Sequence, residues 1–328
     1  MEAGVAGPRA PHYHVQRASG RLGHYLSDMR YRFAIIVVSL LLGGCSIQRF
    51  AINSIGDMLS SGGSVFESDD DPDLIAEALP FSLKLLDSLL QEQPEHRGML
   101  LTAARGYLLY GYAFVGIAAE EAELEDIERT RELRQRARNL YLRAHTYARR
   151  ALELDYPGLA AALAADPESA VTTLVESDDA DVATLYWTAA ALGLAISASR
   201  NEPALLARLP EVEALVGRAI EIDEDWNSGT LHEFAIILAS IESARVDEDA
   251  IDRHYRRALE LAAGRRASVY VTYAETVAIP RQDREQFTDL LQQALAVDVE
   301  LEPDQRLLNV ITQQRARWLL ENIDEFIL

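Results

Sequence analysis

Only one cysteine, Cys45, and one lysine, Lys84, occur in 328 residues. A lone cysteine excludes an internal disulfide, so stability has to come from packing. The motifs that announce common enzyme chemistry are missing too: there is no HExxH, GxSxG, GxxxxGKS or GxGxxG. His96, His145, His232 and His254 stand singly, without metal-ligating spacing, and read as exposed or hydrogen-bonded helix residues. No enzyme, metal or cofactor is expected. A formal charge of −21 argues against nucleic acid as a partner, because phosphate binding relies on patches of Lys and Arg. The longest apolar run, residues 33–42, is broken only by Ser39 and is far shorter than the roughly 20 residues a spanning helix needs.

That short run has the layout of an export signal. Arg30 and Arg32 precede it, and Gly43 and Gly44 close it. The sequence Leu42-Gly43-Gly44-Cys45 resembles a bacterial lipobox, in which cleavage leaves an acylated cysteine as the first residue. The alternative for Cys45 is a buried core thiol. Met29 is then the expected start, residues 1–28 are mis-called upstream sequence, and 29–44 are the signal peptide. A translated basic extension is the alternative for 1–28. Several acyl chains on Cys45 would anchor the protein stably. By resemblance to other lipoproteins, Ser46 instead of Asp after the cysteine favours the outer membrane. Loss of residues 1–44, which carry a net +3, takes the charge from −21 to −24. Such a body would stand away from anionic lipid.

Residues 45–70 read as tether and linker, ending in "SSGGSVFESDDD". The aspartates at 69–71 and 73 lack the central glycine and distal glutamate of a calcium loop, whereas Asp71 before Pro72 fits a helix N-cap followed by a first-turn proline. From there to residue 328 the chain is rich in Ala, Leu, Glu and Arg with apolar residues at helical spacing, as in Val212, Leu215, Val216, Ala219 and Ile222. No strand-like alternation of comparable length is present. The fold class is therefore all-α.

A recurring helix ending refines this. "ALELD" begins at Ala151, "AIEID" at Ala219, "ALELA" at Ala258 and "ALAVD" at Ala294, with a weaker copy, "SLLQEQP", at Ser88. The first interval, 68 residues, is twice the 34-residue period of a tetratricopeptide (TPR) repeat. A small alanine lets two helices approach while the aliphatics after it fill the groove. The expectation is a TPR-like α-solenoid of stacked helical hairpins over 71–328. An irregular bundle in which the ending recurs through composition is the alternative.

Two stretches stand out. In "RGYLLYGYAFVGIAAEE", Gly106, Gly111 and Gly116 lie within a helical pattern at a cost of roughly 1 kcal/mol each, so a neighbouring helix or a ligand must pack closely there. Tyr107, Tyr110 and Phe114 form one stripe. In "TLYWTAAALGLAIS", Tyr186 and Trp187 sit on an apolar helix with Gly193. These aromatics read either as core or as the lining of a pore for an amphipathic ligand, with Arg105 or Arg315 meeting a carboxylate. Tyr112, Trp226, Phe234 and Tyr273 are lesser candidates.

Together with the lipobox, these stretches and "ARNLYLRAHTYARRALE", "HYRRALELAAGRRASVYVTYAE", "QDREQFTDLLQQALAVD" and "RLLNVITQQRARWLL", in this order, resemble the TatT family. This is the T component associated with tripartite ATP-independent periplasmic (TRAP) transporters. The resemblance implies a periplasmic TPR-like lipoprotein that associates with a TRAP solute-binding protein and forms a homo-oligomer, a trimer in the simplest case, with a ligand-accessible pore. Only Cys45 carries over with a defined role. The competing expectation is a general TPR scaffold for envelope assembly, marked by the lack of a neighbouring TRAP gene.

Overall fold

Asp71 opens the first long helix as its spacing predicts: its carboxylate accepts the Leu74 N–H at 3.0 Å, and Pro72 occupies the first turn, where a missing N–H costs nothing. The structure, a computed structural model, describes residues 64–172, 174, 179–199, 201–241 and 247–328. The expected extension, signal peptide, lipidated Cys45 and most of the tether lie outside the described residues.

The long helices are α1 (Pro72–Glu92), α2 (Arg97–Leu109), α3 (Ile127–Asp155), α4 (Asp179–Ser197), α5 (Leu209–Ile222), α6 (Thr230–Ile241), α7 (Glu248–Ala262), α8 (Ser268–Tyr273), α9 (Arg284–Leu295) and α10 (Arg306–Glu321). Short helical turns join several of them, and no strand occurs among the described residues. Each long helix packs on the next. The recurrent endings close α3, α5 and α7 and the turn after α9, and the weaker copy closes α1, so the motif marks every second helix. Its alanines, Ala151, Ala219, Ala258 and Ala294, are all fully buried at helix contacts, as close approach requires.

The succession returns on itself. Helix α10 packs against α1 and the turn Ser64–Glu67, and Arg306 donates to the Ser68 carbonyl at 2.9 Å. Arg315 of α10 also reaches Glu120, which follows α2. First and last elements thus touch around a common interior.

Two helices depart from α geometry. Tyr110–Gly116 continues α2 as a π-helix, and Ala274–Ala278 does the same after α8. Residues 105–121 are therefore not the single α-helix that periodicity predicts. The reason is the Tyr141 ring of α3, which lies against Gly111 and Gly116 and donates its hydroxyl to the Gly111 carbonyl at 3.1 Å. A Cβ on Gly111 would stand 2.8 Å from the ring and one on Gly116 2.7 Å from the hydroxyl. The compensation expected for these glycines is a neighbouring helix. Gly193 likewise faces the Phe234 ring.

Candidate functional site

Widening from α to π geometry shifts side-chain register, and such segments are frequent at functional sites. Tyr107, before the π segment, and Tyr110, at its start, bond to side chains of α1 and α3, while Tyr112 within it lies within electrostatic reach of Glu120, Glu275 and Arg315. Tyr107 donates to Asp87 at 2.8 Å, Tyr147 donates to the other oxygen of the same carboxylate at 2.7 Å, and the two rings stack with centroids 5.9 Å apart. Hydrogen bonds from both phenols and from Lys84 hold the Asp87 carboxyl below its ordinary range despite partial burial. Tyr110 accepts from Arg136 at 3.1 Å and tilts against Phe114. The expected stripe is thus an outer network along α3.

The interior belongs to other residues. Tyr186 of α4 meets Trp187 at 4.8 Å, Trp226 at 5.0 Å and Phe234 at 6.1 Å between ring centroids, spacings typical of edge and tilted aromatic contacts. The Arg105 guanidinium lies 5.5 Å over the Trp187 ring and pairs with Glu67. Trp226 and Phe234, read as lesser candidates, join Tyr186 and Trp187 here. Tyr273 instead stacks on Tyr255 at 3.8 Å, elsewhere.

A second group faces this quartet. Arg315 of α10, 8% exposed, donates through Nη2 to Glu120 at 2.8 Å and to Glu275 at 2.9 Å, and lies 4.7 Å over the Trp318 ring. Glu275 stands on the second π segment and Tyr112 on the first, so both departures from α geometry deliver side chains to this group. Glu233, held by Arg266 at 3.1 Å and Ser268 at 2.8 Å, is within electrostatic reach of both Tyr112 and Tyr186 and links the two groups.

Tyr112 keeps 44% of its surface, yet withdrawal from bulk water is the main force pushing its phenol pKa up. Glu120 keeps 53% of its side-chain surface, and its pKa is pushed up to about 7, first by desolvation and then by the Glu275 charge. Both side chains keep accessible surface while the protein around them lowers their solvation. Arg105, Arg266 and Arg315 are each paired with at least one carboxylate.

A carboxyl group whose pKa rises on folding binds a proton more readily in the folded state, so folding weakens as pH rises through the window from about 4.5 to about 7. Glu120→Gln removes that penalty. The variant is expected to gain on the order of 1 kcal/mol at pH 8, after discounting for the exposure of the Glu120 side chain, and to match the parent at pH 4.5. Urea midpoints at the two pH values check this, and equal stability at pH 8 contradicts it.

Comparison with known proteins gives the site its setting. The family model described as "TRAP transporter T-component" matches residues 68–327. The chain belongs to this family. The matched region covers the whole helical succession from α1 to α10. A protein of Treponema pallidum (strain Nichols), named only as uncharacterised, is 29% identical over 306 residues, 88% of this chain and 95% of that protein. Membership makes this T-component an accessory of TRAP transport, which places it with the cell envelope and with the other transporter components.

Of the residues singled out in the sequence, Tyr186 and Trp187 cluster with Trp226 and Phe234 beside Arg105, Arg315 pairs with Glu120 and Glu275, and Tyr107 and Tyr110 bond to side chains of α1 and α3. Glu120, Glu233 and Glu275 went unnoticed, because with 52 acidic residues no carboxylate stands out. Tyr112 had one usable signal: it sits between the two glycines that Tyr141 packs on.

Proposed function

We propose that this T-component is a periplasmic lipoprotein, held through acylated Cys45 at the outer membrane, that docks the TRAP solute-binding protein and passes a small ligand through a chamber lined by its aromatic residues. The observation that supports the reading is the clustering of Tyr186, Trp187, Trp226 and Phe234 within a succession of helices whose last member packs on its first. Aromatic walls supply burial with little loss of side-chain entropy, as ligand pockets require. Of the two ligand classes expected, carboxylated and hydrophobic, the second fits better. Arg105 and Arg315 already hold carboxylates, and a free anion would have to displace Glu67, or Glu120 and Glu275. The stacking of TPR-like hairpins offers further surface for partners, including copies of the chain in a homo-oligomer, a trimer in the simplest case.

Two tryptophans in the quartet make intrinsic fluorescence a direct reporter. Titration with 1-decanol is expected to quench it saturably, and Tyr186→Ala is expected to weaken binding about tenfold or more, the value of one buried aromatic contact. Binding unchanged by Tyr186→Ala would remove the chamber from the proposal. Cross-linking in the native envelope, followed by mass spectrometry of captured proteins and of the N-terminal peptide, tests docking and acylation together. Capture of envelope-assembly proteins without a TRAP solute-binding protein would favour the general scaffold.

A further inference from the structure

Helix α3 runs against the charge of the chain. It carries eight arginines and four carboxylates in 29 residues of a protein whose net charge is −21. Several of these arginines are neutralised locally: Arg129 by Glu132, Arg134 by Glu123 and Arg138 by Glu202. Arg136 pairs with no carboxylate among the described residues, and Arg143 has only Asp87, at 3.9 Å.

These two arginines are held in place by tyrosines. Arg136 donates to the Tyr110 hydroxyl at 3.1 Å with its guanidinium 5.7 Å from that ring, and Arg143 donates to the Tyr107 hydroxyl at 3.2 Å with its guanidinium 5.1 Å from that ring. Tyr107 is fixed in turn by Asp87. A guanidinium pinned through one N–H keeps other donors free and loses little further freedom on binding. Between the two lies an open groove of about 370 Å³ lined by Glu132, Gln135, Arg136, Asn139, Leu140 and Arg143.

We infer that this groove is a docking site for an acidic segment of a partner protein. Arg136 and Arg143 are seven residues apart on one helix, about 10 Å along its axis. That span suits carboxylates one heptad apart on a helix. One phosphate group cannot bridge it. Asn139 lies between the arginines and Gln135 beside Arg136, and both can hydrogen-bond a peptide backbone, while Leu140 gives an apolar contact. A lipid surface is the poorer occupant, because the acidic body of the chain is repelled by anionic headgroups. The surface is separate from the chamber and rests only on the reading that this T-component acts by docking.

The probe is fluorescein-labelled octaglutamate, followed by anisotropy on the full chain at low salt. Saturable binding is expected, weakened about tenfold or more in the double variant Arg136→Gln with Arg143→Gln and less than about twofold in the charge-matched control Arg131→Gln with Arg149→Gln. Tyr110→Phe, which frees Arg136 while keeping the ring, is expected to fall between them. Helical circular dichroism and unchanged 1-decanol quenching report that the variants are folded. Equal losses in both double variants, no saturable binding, or full displacement by inorganic phosphate each overturn the assignment. Envelope cross-linking separates the two readings. If the TRAP solute-binding protein is still captured by the groove variant, docking stands and the groove is wrong. If the parent captures none, docking fails, and the octaglutamate titration still decides the groove.

Discussion

Replacing Arg315 with methionine is expected to lower stability by about 3 kcal/mol at pH 8 and by much less at pH 5. The guanidinium is 8% exposed and holds two carboxylates that no other arginine contacts directly, Glu120 at 2.8 Å and Glu275 at 2.9 Å. Methionine keeps most of the volume over Trp318 but leaves two like charges facing each other. Breaking a buried pair costs about 3 to 5 kcal/mol, and the lower end applies because both carboxylates remain partly exposed. The pH dependence has a definite sign. Glu120 already has a raised pKa and loses its attractive partner, so it takes up a proton more readily in the folded variant. Protonation removes the repulsion, and the deficit narrows as pH falls from 8 to 5. Urea midpoints across that range provide the measurement. A deficit constant with pH would mean that packing over Trp318, and not charge, is what Arg315 contributes.

Gly111→Ala is the second large effect, with a direction opposite to helix propensity. Alanine at an unhindered helix position gains about 1 kcal/mol over glycine. At Gly111 the new methyl would lie 2.8 Å from Tyr141 Cε1 and 3.2 Å from Leu140 Cβ. Tyr141 cannot swing aside, being 4% exposed and bonded through its hydroxyl to the Gly111 carbonyl. Overpacking of about 1 to 3 kcal/mol, with loss of a hydrogen bond worth about 1 kcal/mol, leaves a net cost of about 2 kcal/mol. Gly217, within α5, has nothing within 4 Å of its would-be Cβ, so Gly217→Ala is expected to stabilise by about 1 kcal/mol. Thermal midpoints of opposite sign for the two substitutions are the expected result; stabilisation by both would mean that the π segment relaxes to α geometry at no cost.

The all-α class and the helix endings were legible because they rest on local chemistry. Asp71-Pro72 starts a helix by capping, and an alanine at the same place in several endings marks a close helix contact wherever the chain lies. The glycines of 105–121 also signalled close packing, although they could not say that Tyr141, thirty residues away from Gly111, supplies it. The site was only half legible. Tyr186 and Trp187 were picked out by their apolar surroundings, but Tyr107 and Tyr110 of the expected stripe bond instead to side chains of α1 and α3. No period in the sequence announces the π segment that begins at Tyr110. Glu120 gains its character from desolvation and from the Glu275 charge, and Glu233 and Glu275 gain theirs from arginines on other elements, so all three depend on parts of the chain far apart in sequence.

The contact of α10 with α1 bears on how the fold comes apart. A linear stack of hairpins has two terminal units with one neighbour each, and fraying starts there because each junction contributes separately to stability. Here the units at the two extremities brace one another through Arg306 and Ser68, and α10 is also tied to the segment after α2 through Arg315 and Glu120. The helical succession has a seam in place of free ends. Opening that seam is the step that would convert a cooperative closed body into an array able to unravel one hairpin at a time, and amide exchange in α1 and α10 would then rise together.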